Sequence, residues 1–166
     1  GPVVCQPYYN LLNRQPEVEI LPACRFHGIG VAPYSPIARG VLTGKYLPGA
    51  APAAGTRAGR ADRRMLQTEF RQESLDIAQK LAAHAQSRGI TLAQFATAWV
   101  LANGIVSSVI AGPRTLAQWQ DYAPALDYTV TPEDEALVDG FVAPGHPSTP
   151  GYNDPAYPLT GRPSAR

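Results

Sequence analysis

The run Gly30-Val31-Ala32-Pro33-Tyr34-Ser35-Pro36-Ile37-Ala38-Arg39-Gly40-Val41-Leu42-Thr43-Gly44-Lys45-Tyr46 decides how the rest of the chain is read. It opens as a buried strand, since Ile29 to Ala32 is apolar, contains β-branched side chains and stops at Pro33. In parallel α/β folds the carboxyl ends of the strands face the site. An aromatic at that end, Tyr34, can lie flat against a planar ring. The following loop offers Ser35 and backbone N–H groups relieved of bulk by Gly40 and Gly44, with Lys45 as a counter-charge. Those are the ingredients of a phosphate cradle. A Pro/Gly-rich turn with an exposed Tyr and Lys has the same composition, and glycine spacing alone does not separate the two.

Two further runs share the strand signature: Val3-Val4-Cys5-Gln6 and Val106-Ser107-Ser108-Val109-Ile110-Ala111. Helical patterns lie between and after them. Glu17 to Phe26 places Val18, Leu21 and Cys24 near one stripe with Gly28 as a stop, although Pro22 should kink or split it. Gln72 to Arg88 repeats Leu75, Ile77, Ala78, Leu81, Ala82 and Ala85 at helical spacing before Gly89. Thr91 caps a helix over Leu92–Ala102, and Thr115 opens another that ends near Ala123, ahead of Pro124. Thr131-Pro132-Glu133-Asp134 opens the last. Strands separated by helices predict an α/β fold with a parallel sheet. Pro48 to Arg64 reads as a long loop, and the chain from Pro144 onward as a surface tail, which divides it into 1–143 and 144–166.

The 166 residues suffice for one domain with a core, whereas a closed eight-stranded α/β barrel takes about 250. With 45% hydrophobic and 16% charged residues the chain is globular in type. A net charge of +1 gives no global field for nucleic acid or an anionic membrane, and no apolar run is long enough to span a bilayer. Five basic residues crowd between Arg57 and Arg71, a pattern that suits a solvated loop or an anionic phosphate. Cys5 and Cys24 form no metal or redox pattern and read as buried, reduced thiols, which points to a cytoplasmic setting. Trp99 and Trp119 read as packing residues, and His27, His84 and His146 as surface or tail residues.

The segment at 34–46 resembles the motif Tyr-Ser-Pro-Leu-(Ala)-x-Gly-x-Leu-(Thr/Ser)-Gly-Lys-Tyr that follows the seventh barrel strand of aldo-keto reductases, with Ile37 in place of Leu. Gln6-Pro7-Tyr8-Tyr9-Asn10-Leu11-Leu12-Asn13-Arg14 looks like the sixth-strand motif. Ala98-Trp99-Val100-Leu101 looks like the penultimate helix, and Ile110-Ala111-Gly112-Pro113-Arg114-Thr115 like the eighth strand and its cofactor loop. Gly145 to Arg162 sits where the family's variable tail would be. The resemblance implies a partial (β/α)8 TIM barrel, its last three β/α units plus a C-terminal tail. It also implies an NADP(H)-dependent oxidoreductase reducing aldehydes or ketones.

Carried over by position, Gln6 would bond the nicotinamide carboxamide and Tyr34 would stack on the nicotinamide ring. Ser35, Pro36, Ile37, Arg39, Gly40 and Lys45 would line the pyrophosphate, with Arg57 closing over it. Gly112, Arg114, Gln118 and Asp121 would hold the adenosine end, and Arg114 could fork onto a 2′-phosphate, which favours NADP over NAD. Tyr122 departs from the family's Asn and leaves the adenine contact open.

The family's catalytic Tyr, Lys, Asp and His lie on strands one to four. This chain matches from strand six, and its only lysines are Lys45 and Lys80, so no residue is assigned a catalytic role. The expected state is a truncated product or fragment, inactive alone, whose unpaired parallel edges require the missing barrel half or self-association. The expected substrate of the intact protein is a small-molecule carbonyl. A non-catalytic nicotinamide-nucleotide-binding or regulatory module is the alternative, with a sugar-phosphate barrel enzyme a weaker third.

Overall fold

In the computed structural model, which describes residues 1–161, the runs before and after the first helix pair side by side. Strand β1 (Val4–Cys5) and strand β2 (Gly30–Val31) are parallel, with Val4 opposite Gly30 and Cys5 opposite Val31. The N–H groups of Gly30, Ala32 and Tyr34 donate to the carbonyls of Val3, Cys5 and Pro7 at 3.0, 2.9 and 3.1 Å. A third parallel run flanks β2 on its other side through single bridges, Val31 to Val106 and Tyr34 to Ile110.

The expected strand at 106–111 is therefore not a regular strand. Ser107 Oγ accepts the Val31 N–H at 3.3 Å, and the N–H groups of Ser107 and Ser108 share the Val31 carbonyl at 2.8 and 3.4 Å. A side chain and a shared acceptor replace the even spacing of a parallel ladder. Parallel runs joined through helices nonetheless make this an α/β fold.

The first helix, α1 (Ile20–His27), starts three residues later than Glu17, which instead ends a short 3-10 turn over Gln15–Glu17. Pro22 makes no kink because it sits in the first turn, where its missing N–H has no helical partner to lose. Leu21 and Cys24 are buried as expected, but Val18 faces solvent. Gly28 closes the helix at φ 66°, a conformation a side chain would resist.

Helix α2 (Arg63–Thr68) lies at the end of the stretch expected to be loop; Asp62 caps it by accepting the Met65 N–H at 3.0 Å. Helices α3 (Gln72–Ser87) and α4 (Leu92–Ala102) fall where their periodicity predicts. Helix α5 (Leu116–Tyr122) and helix α6 (Pro132–Phe141) follow. Thr91, Thr115 and Thr131 each accept the N–H of the residue three positions on.

The core gathers Leu75, Ala78 and Leu81 of α3, Phe95, Trp99 and Val100 of α4, and Leu11, Leu12 and Val31 from around the strands. Arg14 is sealed beneath it. Its Nε meets Glu17 at 2.9 Å, and one Nη meets Asp139 at 2.6 Å and the Val142 carbonyl at 2.8 Å. Trp99 packs as expected, 5.4 Å from Tyr9 between ring centres, and donates its indole N–H to Glu135 at 2.9 Å.

Beyond α6 the chain returns over the molecule. The Arg14 N–H donates to the His146 carbonyl and the Ser148 N–H to the Leu12 carbonyl. Arg71 donates to Ser148 and Thr149 and lies 3.8 Å over the Tyr152 ring. Arg64 binds Asp154. Two of the five clustered arginines are thus ties to this returning segment rather than solvated loop charges. The part of the expected tail from Arg162 to Arg166 lies outside the described residues.

Candidate functional site

The strand ends converge on Tyr34. It closes the middle run, bridged in parallel to Tyr8 on one side and Ile110 on the other, with the Tyr8 ring 5.6 Å away. Tyr34 remains 38% exposed and forms part of the wall of a 310 Å³ cleft. That size lies at the lower end of the range for small-molecule and cofactor sites.

Twelve of the thirteen positions expected to bind a cofactor line this one cleft. From the loop after β2 come Tyr34, Ser35, Pro36, Ile37, Arg39, Gly40 and Lys45, and from the long loop comes Arg57. Gly112, Arg114, Gln118 and Asp121 form the opposite wall. Gln6 stays outside it: it follows β1 at the outer strand and is exposed to solvent. Thr43, Ala93, Ile110 and Tyr122 also line the cleft without having been singled out as binding residues.

The loop after β2 is held in an unusual backbone shape. Ser35, Ala38 and Arg39 adopt φ of 58°, 47° and 51°, and Gly40 reaches 101°. Each non-glycine residue in that region costs about 1–3 kcal/mol, and such residues concentrate at ligand clamps. A Cβ on Gly40 would meet Lys45 Nζ at 3.1 Å, so the glycine lets the ammonium fold back against the loop.

The cleft is electropositive, with Arg39, Lys45, Arg57 and Arg114 set against Asp121. Arg57 is partly compensated by Asp62 at 3.5 Å and Arg39 by Glu69 at 3.1 Å. Among the described residues Lys45 and Arg114 have no carboxylate partner, which leaves them for an anion from outside. Gln118 Oε1 accepts the Arg114 N–H at 2.6 Å and shapes the turn instead of pointing a free amide oxygen into the cleft. The Asp121 carboxylate accepts from Thr91 Oγ1 at 2.9 Å and Gln94 Nε2 at 3.3 Å, which ties α5 to the start of α4.

Burial raises the Tyr34 hydroxyl pKa against the opposing pull of Arg39. Burial likewise pushes Tyr122 up to about 12, with Asp121 adding to it, so that ring is a neutral wall. Tyr122 also closes a 120 Å³ apolar cavity shared with Trp119 and Leu126. Trp119 is half exposed there and not a core residue as expected. His84 departs from its expected surface role: it bonds Asp134 at 2.6 Å, whereas His27 and His146 are exposed. Among the described residues no cluster of His, Cys, Asp or Glu could hold a metal, and no helix is long and apolar enough to cross a membrane.

The aldo/keto reductase family model matches residues 1–143, and the chain is a member of that family. It is 41% identical over 128 residues to a probable voltage-gated potassium channel subunit beta of Arabidopsis thaliana, covering 76% of this chain and 39% of the relative. It is 38% identical over 157 residues to the uncharacterized oxidoreductase YrpG of Bacillus subtilis, covering 92% and 44%. With an L-glyceraldehyde 3-phosphate reductase of Escherichia coli O157:H7 it shares 33% over 146 residues, covering 86% and 42%. The chain spans less than half the length of these relatives. The family and its reductases imply a nicotinamide cofactor.

Proposed function

We propose that the chain supplies the dinucleotide grip of an NADP(H)-dependent reductase of aldehydes or ketones, as the last three β/α units of a (β/α)8 barrel followed by a C-terminal tail. The observation that carries this is the gathering of Tyr34, Arg39, Lys45, Arg57 and Arg114 on one 310 Å³ cleft at the strand ends. The fit rests on the donor set: two cations without carboxylate partners, an exposed aromatic face and a loop opened by Gly40.

When bound, NADPH would supply the hydride. The chain's own residues bind and orient it. Tyr34 offers its ring to the nicotinamide, and Gln6, exposed after β1, reaches the carboxamide only from outside the present cleft. Ser35, Pro36, Ile37, Arg39, Gly40 and Lys45 hold the pyrophosphate, and Arg57 covers it from the long loop. Gly112, Arg114, Gln118 and Asp121 take the adenosine end. The guanidinium of Arg114 forks onto a 2′-phosphate, which favours NADP over NAD. Tyr122 lies against the base in place of an amide. No catalytic residue is assigned within 1–166, and the carbonyl substrate is met by the intact reductase.

Titrating the protein with NADPH and NADH while following tryptophan fluorescence tests the grip. Saturable quenching, tighter for NADPH and equalised by Arg114→Ala, supports it; no binding of either overturns it. A second reading draws on the relatives named as potassium channel beta subunits, in which the nucleotide-loaded chain acts as a regulatory partner. Loss of reduced cofactor on adding a reactive aldehyde separates the two.

A further inference from the structure

Glu69 is buried to 1% exposure, between the long loop and α3, and no motif pointed to it. Its Oε1 accepts from Arg39 Nε at 3.1 Å, and its other oxygen accepts from the Thr68 hydroxyl. Burial raises its pKa, opposed by Thr68, Arg39 and the neighbouring Tyr8. A buried carboxylate is costly unless its partners hold it in place, and this one is held. Arg39 in turn stands on a left-handed backbone, φ 51°, that a non-glycine residue keeps only when its surroundings fix it.

The division of the guanidinium is what matters. Arg39 lines the cleft, yet its one side-chain hydrogen bond among the described residues is through Nε to Glu69. The terminal Nη pair makes none. A planar fork anchored at its root and open at its tips is preorganised for two oxygens of an anion.

We infer that Glu69 is a positioning residue for the cleft: it holds Arg39 with both terminal nitrogens aimed at the pyrophosphate of the dinucleotide. The inference rests on the cofactor reading given above. Glu69 touches no ligand itself and acts through Arg39.

A double-mutant cycle on the whole chain tests it, with NADPH dissociation constants measured by fluorescence quenching for wild type, Glu69→Gln, Arg39→Ala and the double variant. Each single change weakens NADPH about tenfold, the factor for one charge-assisted hydrogen bond. The double variant is no weaker than Arg39→Ala alone. The probe 2′-AMP, which has no pyrophosphate, binds all four equally.

Equal cost of Glu69→Gln in both backgrounds, or a parallel loss of 2′-AMP binding, overturns the inference, because a merely structural role gives either result. Should Glu69→Gln not fold, Glu69→Asp completes the same cycle: its shortened side chain loses Arg39, and the same non-additivity is required. Wild type failing to bind NADPH overturns the cofactor reading itself, whereas binding without coupling overturns only the role of Glu69.

Discussion

The Arg64 guanidinium meets the Asp154 carboxylate in two hydrogen bonds of 3.0 and 2.5 Å, joining α2 to a segment 90 residues further along. The Tyr152 hydroxyl donates to the Gln67 carbonyl beside it. The returning chain is thus fastened to the helix that follows the Arg57 loop. Asp154→Ala is expected to speed proteolytic cleavage within 150–157 in a limited digest read by mass spectrometry. The melting midpoint should barely move, because partly exposed ion pairs contribute little to global stability.

Tyr34 offers its ring to the cleft, so what it contributes should depend on the ring and not on the hydroxyl. Tyr34→Ala is expected to weaken NADPH binding roughly two- to tenfold, from an aromatic stacking contribution of about 0.5–1.5 kcal/mol. Tyr34→Phe should bind like wild type. Calorimetric titration of the three proteins checks this, and equal affinity for all three would remove Tyr34 from the site.

Arg14 is buried and serves Glu17, Asp139 and the Val142 carbonyl together. Glu17 also accepts from the Tyr9 hydroxyl at 2.8 Å and the Gly145 N–H at 3.1 Å. Arg14→Met fills the space but strands a partly buried carboxylate. The expected loss in urea-melt stability is about 3 kcal/mol, the range for removing one partner of a buried pair. A change below the error of the melt would show that Tyr9 and Gly145 suffice for Glu17.

Asp134 sets an acid limit on stability. Burial alone would raise its carboxyl, but the Thr131 N–H, His84 and Tyr128 outweigh that and hold it down at about 2. A depressed folded-state pKa stabilises the fold above the unfolded value, about 3.9, and that stabilisation is lost as pH falls toward 2. Wild type should lose on the order of 2 kcal/mol through this group between pH 5 and pH 2. Asp134→Asn should be less stable at pH 7 and show a shallower acid slope in denaturant melts.

Helix starts and stops were the most legible part of the fold in the sequence. Thr91, Thr115 and Thr131 cap because a hydroxyl reaching the N–H three residues on is local chemistry. Gly28 and Gly89 stop helices because both sit at positive φ. Less legible was α2, six residues long, whose Asp62 cap was hidden in an arginine-rich stretch and whose Met65 is buried by distant parts of the chain. The run at 106–111 carries strand composition, but Ser107 diverts its pairing to a side chain, which periodicity does not encode. Along the cleft, neighbours in sequence such as Tyr34 to Lys45 were readable from one motif. Glu69 was not, since its relation to the cleft exists only after the chain has folded across the thirty residues that separate it from Arg39.

Asp121 accepts from the Thr91 hydroxyl that also caps α4. The hydroxyl that donates to this carboxylate on one wall of the cleft therefore also accepts, at its oxygen, the Gln94 N–H in the opening turn of a neighbouring helix. Any guest that draws on the Asp121 carboxylate competes with that arrangement. Amide hydrogen exchange at Gln94 and Phe95 then becomes an inbuilt occupancy gauge, readable without a label or a turnover assay.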